Sequence, residues 1–454
     1  MESIFNIPAD LDTPVSAYLR LGSLRPRYLL ESVEGGHTGR YSFIGFGDTQ
    51  RVTIEGDGVH VDGQLADTGL LAGLRRALEM APVCAPEDTA SPFGGGLVGV
   101  AAFDLVRRLY RLPAAPHRRS GPDGVYITTR SILVFDHLTR RMALLHSGPD
   151  DERRQLRQEV QAALRGPLHH AEQPASHGAA TPSMTNAEYM DGVETVKQHI
   201  QAGDVYQLVL SIRFAGETEV DSFAAYRALR LLNPSPYMYY IDTGDRQVVG
   251  SSPEALARLN GRKAELRPIA GTRPRGIDED EDHRLERELL ADAKETAEHV
   301  MLVDLARNDV GRTASPGSVV VDPYRTIERY SHVMHMVSGV TADLRPELDA
   351  FDLFAAAFPA GTVTGAPKLR AIEIIDELEP VSRGLYSGSI GYFGHRGAMD
   401  QAITIRTLVF EDGKYNYQAG AGIVADSDPA TEHHEVLSKA AVLEAALELA
   451  KEGL

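Results

Sequence analysis

The chain has 454 residues, a net charge of −18, 43% hydrophobic residues and one cysteine. This length suits two or three domains, and the acidic balance argues against a nucleic-acid backbone as partner, because such binding needs clustered Lys and Arg. No apolar run nears the ~20 residues of a membrane span, the start MESIFNIPADLDTP lacks the basic and apolar regions of a secretory signal, and the lone Cys84 excludes an internal disulfide, so a reducing, cytoplasmic setting is expected.

In chain order, the first third reads as mixed α and β structure. Arg27–Val33 and Arg40–Phe46 read as strands around Glu34-Gly35-Gly36, and QRVTIEGDGVHVDG reads as a hairpin about Gly56-Asp57-Gly58. Helices are expected over Leu70–Met80 and Asp151–Arg165. Between them GGGLVGVAAFDLVRRLY reads as a strand entering a helix, and ITTRSILVFDHLTRRMALLHS as two strands. Residues 166–184 form a linker rich in Pro, Ala, Gly, Ser and His without apolar periodicity. Its His169, His170 and His177 read as solvent-exposed loop residues.

After the linker, Thr185 and Glu188 form a capping box for a helix that Gly203 ends. Strand-like runs follow: VYQLVLSIRF, YMYYID, QVVGSS, KAELRPI, SGSIGYFG, AITIRTLVF and YNYQAGAGIV. Helices are expected at Ser222–Leu232, His283–Asn308, Ala350–Phe358 and Lys368–Leu378. Regular βαβ alternation is missing, so the fold expected is α+β with large antiparallel sheets.

Two Glu-x-x-Glu pairs stand out. Glu295 and Glu298 share one face of a helix whose apolar continuation, Val300 to Leu305, points it into the protein. Glu432 and Glu435 repeat the pattern on a helix started by Asp428 and Pro429, with Val436, Ala440, Leu443 and Leu447 as its apolar face. Such pairs also suit solvated faces. Two of them offer four hard oxygen ligands and no sulfur, which suits Mg²⁺ shared with an anionic substrate. FPAGTVTGAPKL fails the phosphate-loop pattern, since Ala366 and Pro367 separate Gly365 from Lys368 and Leu369 follows it. The glycines of SGSIGYFG and QAGAGIV read instead as places of close backbone approach to a ligand.

GDVYQLVLS, GSSPE, RPIAGTRPRG, KETAEHVMLVDLARNDVGR, SHVMHMVSGV, FPAGTVTGAPK, GLYSGSIGYF, QAITIRT and AGAGIVADSDPATEHHE occur in this order. Together they resemble the chorismate-utilising enzymes, most closely the large, aminating subunits of anthranilate synthases. The resemblance is strongest from about Thr185 to Ala445. It implies a large domain of two packed antiparallel β-sheets with surrounding helices over residues 185–454, plus a smaller N-terminal α/β domain over residues 1–165.

The resemblance also implies site roles. Glu298 and Glu435 would hold Mg²⁺, with Glu295 and Glu432 beside or behind them. Arg406 and Tyr386 would hold the enolpyruvyl carboxylate of chorismate. Gly420, Gly422, Thr362 and Lys439 would contact substrate. Glu254 would protonate the departing C4 hydroxyl with Thr272 as helper, and His335 would serve pyruvate elimination; on sequence alone, His335 also reads as a satisfied core residue.

Relatives that add water carry a Lys base where this chain has Gln207, and those forming a covalent intermediate carry Lys where it has Ala270. Ammonia is therefore the nucleophile expected. No activated Cys–His pair is visible, so ammonia would come from a separate glutamine amidotransferase subunit, giving a hetero-oligomer. Leu30, Glu31 and Ser32 of LLES, with Pro236, Tyr237, Met238 and Tyr392, match a tryptophan feedback site. The implied activity is conversion of chorismate and ammonia to anthranilate and pyruvate in tryptophan biosynthesis. The alternatives are an aminodeoxychorismate or aminodeoxyisochorismate synthase that stops earlier, or an inactive tryptophan-binding regulator.

Overall fold

In the computed structural model, residues 4–32, 39–86, 91–117, 121–168, 175–329 and 333–454 are described. The expected turn at Glu34–Gly36 and residues 169–174 of the linker lie outside them. Eleven strands follow one another in the order of a twelve-stranded sheet, the twelfth pairing beside them, and a second sheet has eleven strands. Strand pairing among the described residues is antiparallel throughout, and some neighbours are joined by short turns such as those at Asp57 and Gly413 while others are brought together from distant parts of the chain.

Both sheets are shared by the two halves of the chain. In the larger one, Pro26–Glu31 pairs with Tyr237–Asp242. In the smaller one, Gly96–Ala101 pairs with Ser389–Gly394. The linker thus divides the sequence but not the sheets. Tyr28, Phe43 and Tyr239 of the larger sheet pack with Val98, Ile390 and Tyr392 of the smaller one in a common core. Helices Asn186–Ala202, Ser222–Leu232 and Pro429–Glu452 cover the outer face of the larger sheet. Leu70–Met80, Ala293–Gly311 and Ala350–Ala357 cover the smaller one. Apolar residues on both faces of the strands build this four-layer arrangement, since each sheet buries both faces.

Most expected elements form. The capping box at Thr185 and the left-handed Gly203 bound helix Asn186–Ala202. Val436, Ala440, Leu443 and Leu447 are all buried on the last helix.

Four expectations change. The helix expected over His283–Asn308 is two helices, Glu279–Ala291 and Ala293–Gly311, because extended Asp292 accepts the N–H groups of Lys294 and Glu295 at 3.0 and 3.1 Å. The apolar run after Glu298 does not plunge inward: Leu302 and Val303 are buried, but Val300 is 39% exposed. AITIRTLVF is not one strand. Met399–Ile403 belongs to the smaller sheet and Thr407–Glu411 to the larger. His177 is not a solvated loop residue: its side chain is 1% exposed and its Nε2 meets Glu444 at 3.1 Å.

One charge pair lies deep between the layers. Arg383 donates to Glu379 through Nε and Nη2 at 2.9 and 2.7 Å, and both side chains are almost wholly buried. The remaining guanidinium donors reach the carbonyls of Val363 and Val209, each at 2.7 Å, and Ser387 Oγ at 3.1 Å. Removing one partner strands the other charge without water. Glu379→Ala is therefore expected to lower unfolding stability by about 3–5 kcal/mol, measured by chemical denaturation. Glu411→Ala removes a partly exposed carboxylate from the buried Arg246, which Asp245 still meets at 3.2 Å, and is expected to cost about 1 kcal/mol or less.

Candidate active site

Two strands change sheets side by side. Gln247–Ser252 lies in the larger sheet and Ala255–Asn260 in the smaller, so the chain crosses at Pro253-Glu254. Met399–Ile403 and Thr407–Glu411 make the reverse crossing at Thr404–Arg406. Ile403 N–H donates to the Glu254 carbonyl at 3.0 Å and Ser251 N–H to the Arg406 carbonyl at 3.1 Å, tying the crossings together. Arg406 takes a left-handed φ of 51° there. That conformation is uncommon for a side chain of this size and is retained where surrounding structure fixes it.

A cavity of about 240 Å³ opens beside the crossings. Glu254, Thr272, His335, Thr362, Tyr386, Arg406, Gly420, Gly422 and Lys439 all line it, as do Ala270 and Gln418. Nine side chains or backbone positions singled out in the sequence, spread from residue 254 to 439, thus meet in one place. Gln207 lies just behind: a methyl on Gly422 would come within 2.7 Å of its Nε2.

The electrostatics are set by dehydration. Glu254 lines the cavity, and loss of water around its carboxyl pushes its pKa up to about 7, against smaller lowering by the Thr362 hydroxyl and Lys439. Burial likewise lowers the pKa of Arg406, a cation that donates to the Asn233 amide oxygen at 3.5 Å. An anion in the cavity would relieve it. Burial, the largest influence, pushes the Tyr386 hydroxyl up to about 12, so it stays a neutral donor. His335 stands opposite Thr272 in the register of a small three-stranded sheet. Its Nδ1 lies 3.2 Å from the Gly271 carbonyl and 3.0 Å from Thr272 Oγ1. A carbonyl only accepts, so Nδ1 carries the proton and the ring lone pair sits on Nε2. Desolvation lowers its pKa, keeping the ring neutral.

The four paired glutamates stand at one edge. Burial raises the pKa of Glu298, and repulsion from Glu295 and then Glu435 raises it further, while Lys294 and a Gln207 hydrogen bond oppose this. Glu432 is buried and accepts from Ser427 Oγ at 2.7 Å. Lys439 Nζ donates to Glu435 at 2.6 Å and to the Gly420 carbonyl at 3.0 Å. Arg273 reaches Glu295 at 3.3 Å. Among the described residues, no three of the four glutamates bring oxygens within 4.8 Å of one another. The repulsion at Glu298, only partly opposed by Lys294 and Gln207, is what a hard divalent cation would offset, and the all-oxygen donor set suits one.

A second cavity, of about 110 Å³, lies between the sheets on the far side of the 233–238 segment. Leu30, Glu31, Ser32, Pro236, Tyr237, Met238 and Tyr392 all line it. Arg258 stands over the Tyr237 ring at 5.2 Å, and Tyr237 donates to Asp400 at 2.9 Å. Ser32 Oγ is buried with no hydrogen-bond partner among the described residues. Sequence reasoning did not single out Gln418, which shares a strand face with Gly420 and Gly422 at a spacing of two; that period was the available signal.

The family profile described as chorismate binding enzyme matches residues 25–445. The chain belongs to the chorismate-binding enzyme family. Anthranilate synthase component 1 of Thermus thermophilus is 46% identical over 458 residues, covering 98% of this chain and 97% of its own. That of Pseudomonas putida is 44% identical, covering 98% and 94%. The crystal structure of anthranilate synthase component I from Streptococcus pneumoniae TIGR4 superposes with a TM-score of 0.80 at 34% identity, over 96% of this chain and 98% of that one. The Escherichia coli isochorismate synthase MenF, at 20% identity and a TM-score of 0.73 over 96% and 92%, shares the fold.

The two cavity glycines differ in what they tolerate. A methyl at Gly420 would lie 2.7 Å from Tyr386 Oη and 2.8 Å from the Leu210 carbonyl, which cannot yield. At Gly422 the only close atom is the end of the Gln207 side chain. Gly420→Ala is expected to weaken chorismate binding by about tenfold or more, and Gly422→Ala by less, in equilibrium titration; the scale is that of overpacking at a tight site.

Proposed function

We propose that this chain is the aminating and lyase subunit of an anthranilate synthase, converting chorismate and ammonia to anthranilate and pyruvate. The observation that carries the reading is the composition of the cavity wall. It holds one dehydrated acid, Glu254, and a cation awaiting an anion, Arg406. It has no lysine at the two places where water-adding or covalent relatives carry one, since Gln207 and Ala270 stand there. The component 1 relatives support the same activity.

Chorismate carries two carboxylates. Arg406 and Tyr386 hold the enolpyruvyl one. The ring carboxylate turns to the glutamate edge, where Glu298 and Glu435, backed by Glu295 and Glu432, would hold Mg²⁺; that ion supplies charge neutralisation and substrate anchoring when bound. Ammonia attacks C2, and neutral Glu254 gives its proton to the departing C4 hydroxyl, which leaves as water. The new nitrogen sheds one proton, so the step balances. His335, neutral with its lone pair on Nε2, serves the second stage, in which the C2 hydrogen and the enolpyruvyl group leave and the ring aromatises. Ammonia comes from a glutamine amidotransferase subunit, consistent with the component naming of the relatives.

The second cavity is read as a tryptophan feedback site. Its wall offers aromatic surface and a Ser32 hydroxyl with no partner among the described residues, while the Glu31 carboxylate is held by Tyr226 and Arg230. The segment between the cavities joins them: Asn233 contacts Arg406, and Pro236, Tyr237 and Met238 line the tryptophan side. Regulation requires two states that bind tryptophan unequally.

Three outcomes are expected. At fixed free ammonia, kcat/KM for chorismate falls about tenfold per pH unit above about 7, because protonated Glu254 is consumed as pH rises through its raised pKa; a profile that stays flat well above that pKa would remove Glu254 as the acid. Glu298→Ala loses at least about a hundredfold in turnover, and added Mg²⁺ does not restore it; retained activity would end the metal assignment. The chain contains no Trp, so bound tryptophan is followed by its own fluorescence; Ser32→Leu should weaken that binding about tenfold or more while turnover persists.

A further inference from the structure

Behind the cavity runs a chain of hydrogen bonds whose directions are fixed by chemistry. Glu379, clamped by Arg383 through two N–H donors, only accepts. Ser211 Oγ therefore donates its single proton to Glu379, at 2.6 Å. Having spent that proton, Ser211 Oγ can only accept from Gln418, whose Nε2 lies 2.8 Å away. The amide is thus locked with its NH₂ inward. Its carbonyl oxygen, Oε1, is buried and has no hydrogen-bond partner among the described residues, and Gln418 lines the cavity.

A buried acceptor left unpaired is unfavourable, and here its orientation is enforced from behind by a wholly buried ion pair. The group that satisfies it must be a donor. Chorismate's carboxylates are acceptors and would be repelled. The ring hydroxyl is engaged by Glu254 in the reading above. The remaining reactant with N–H donors is ammonia. An N–H···O bond to Oε1 leaves the nitrogen lone pair free for attack, whereas a donor at the same place would occupy it.

We propose that Gln418 is the ammonia-binding residue, its NH₂ held against Ser211 by the Ser211–Glu379–Arg383 chain so that its Oε1 is left to accept. The inference rests on the amination reading. It assigns Gln418 a direct contact and makes Ser211, which is buried behind the strand, a positioning residue.

The test is ammonium-dependent turnover of the full chain, with chorismate affinity measured separately by equilibrium titration. Gln418→Leu should raise the KM for ammonium about tenfold or more, the scale of one lost hydrogen bond at a buried acceptor, with chorismate affinity within about twofold. Ser211→Ala removes the lock without touching the cavity; Gln418 can then turn its NH₂ outward, so the KM for ammonium should rise in the same direction. An unchanged KM for ammonium in both variants overturns the proposal. So does an equal loss of chorismate affinity in Gln418→Leu, which would put Oε1 on chorismate. If the unsubstituted chain aminates nothing, the functional reading fails first, and the two failures are told apart.

Discussion

The site depends on two strands that leave one sheet and enter the other side by side. Ser252 and Thr407 belong to the larger sheet, and Ala255 and Ile403 to the smaller. At the crossings neither ladder can claim the backbone, so the two segments bond each other, through Ile403 to Glu254 and Ser251 to Arg406. The sandwich parts locally, and the gap becomes the cavity. Its acid and its cation sit on the crossing residues themselves, which fixes their spacing more firmly than a loop would.

Water exclusion then gives each group its chemistry. The same burial that keeps Glu254 protonated near neutral pH makes Arg406 seek an anion, holds the Tyr386 hydroxyl neutral and discourages a charged His335. A single environment thus favours the protonated acid, disfavours the charged guanidinium and keeps the hydroxyl and the imidazole neutral. The buried Arg383–Glu379 pair lies directly under this floor, through the carbonyls of Val209 and Val363, two residues that line the cavity. Its stake in the fold and its stake in the site are the same bonds.

Much of this was legible in the sequence. The helix caps at Thr185 and Asp428 and the apolar face from Val436 to Leu447 formed as local rules require. Nine of the residues that the family resemblance marked, from Glu254 to Lys439, share one cavity wall, while the four paired glutamates and Gln207 do not line it. What was not legible has a physical cause in each case. Asp292 reads as an ordinary helical residue until its side chain caps the second helix. The run through Arg406 keeps strand composition while changing sheets, and composition does not report which sheet a residue joins. His177 sits in a polar, Gly- and Ala-rich stretch, yet Glu444 of a distant helix draws it in. Gln418 is one amide among many until Ser211 and Glu379 fix which end Ser211 takes. The four glutamates share an edge but, among the described residues, no three converge on one point.

The central claim is amination followed by loss of pyruvate at this cavity. It is tested most directly by incubating the purified chain with chorismate, ammonium and Mg²⁺, and identifying the products by chromatography and mass, with and without a chelator. The account predicts equimolar anthranilate and pyruvate, both abolished by chelation. An aminated cyclohexadiene that retains its enolpyruvyl group, or products that form equally well without the metal, would contradict it.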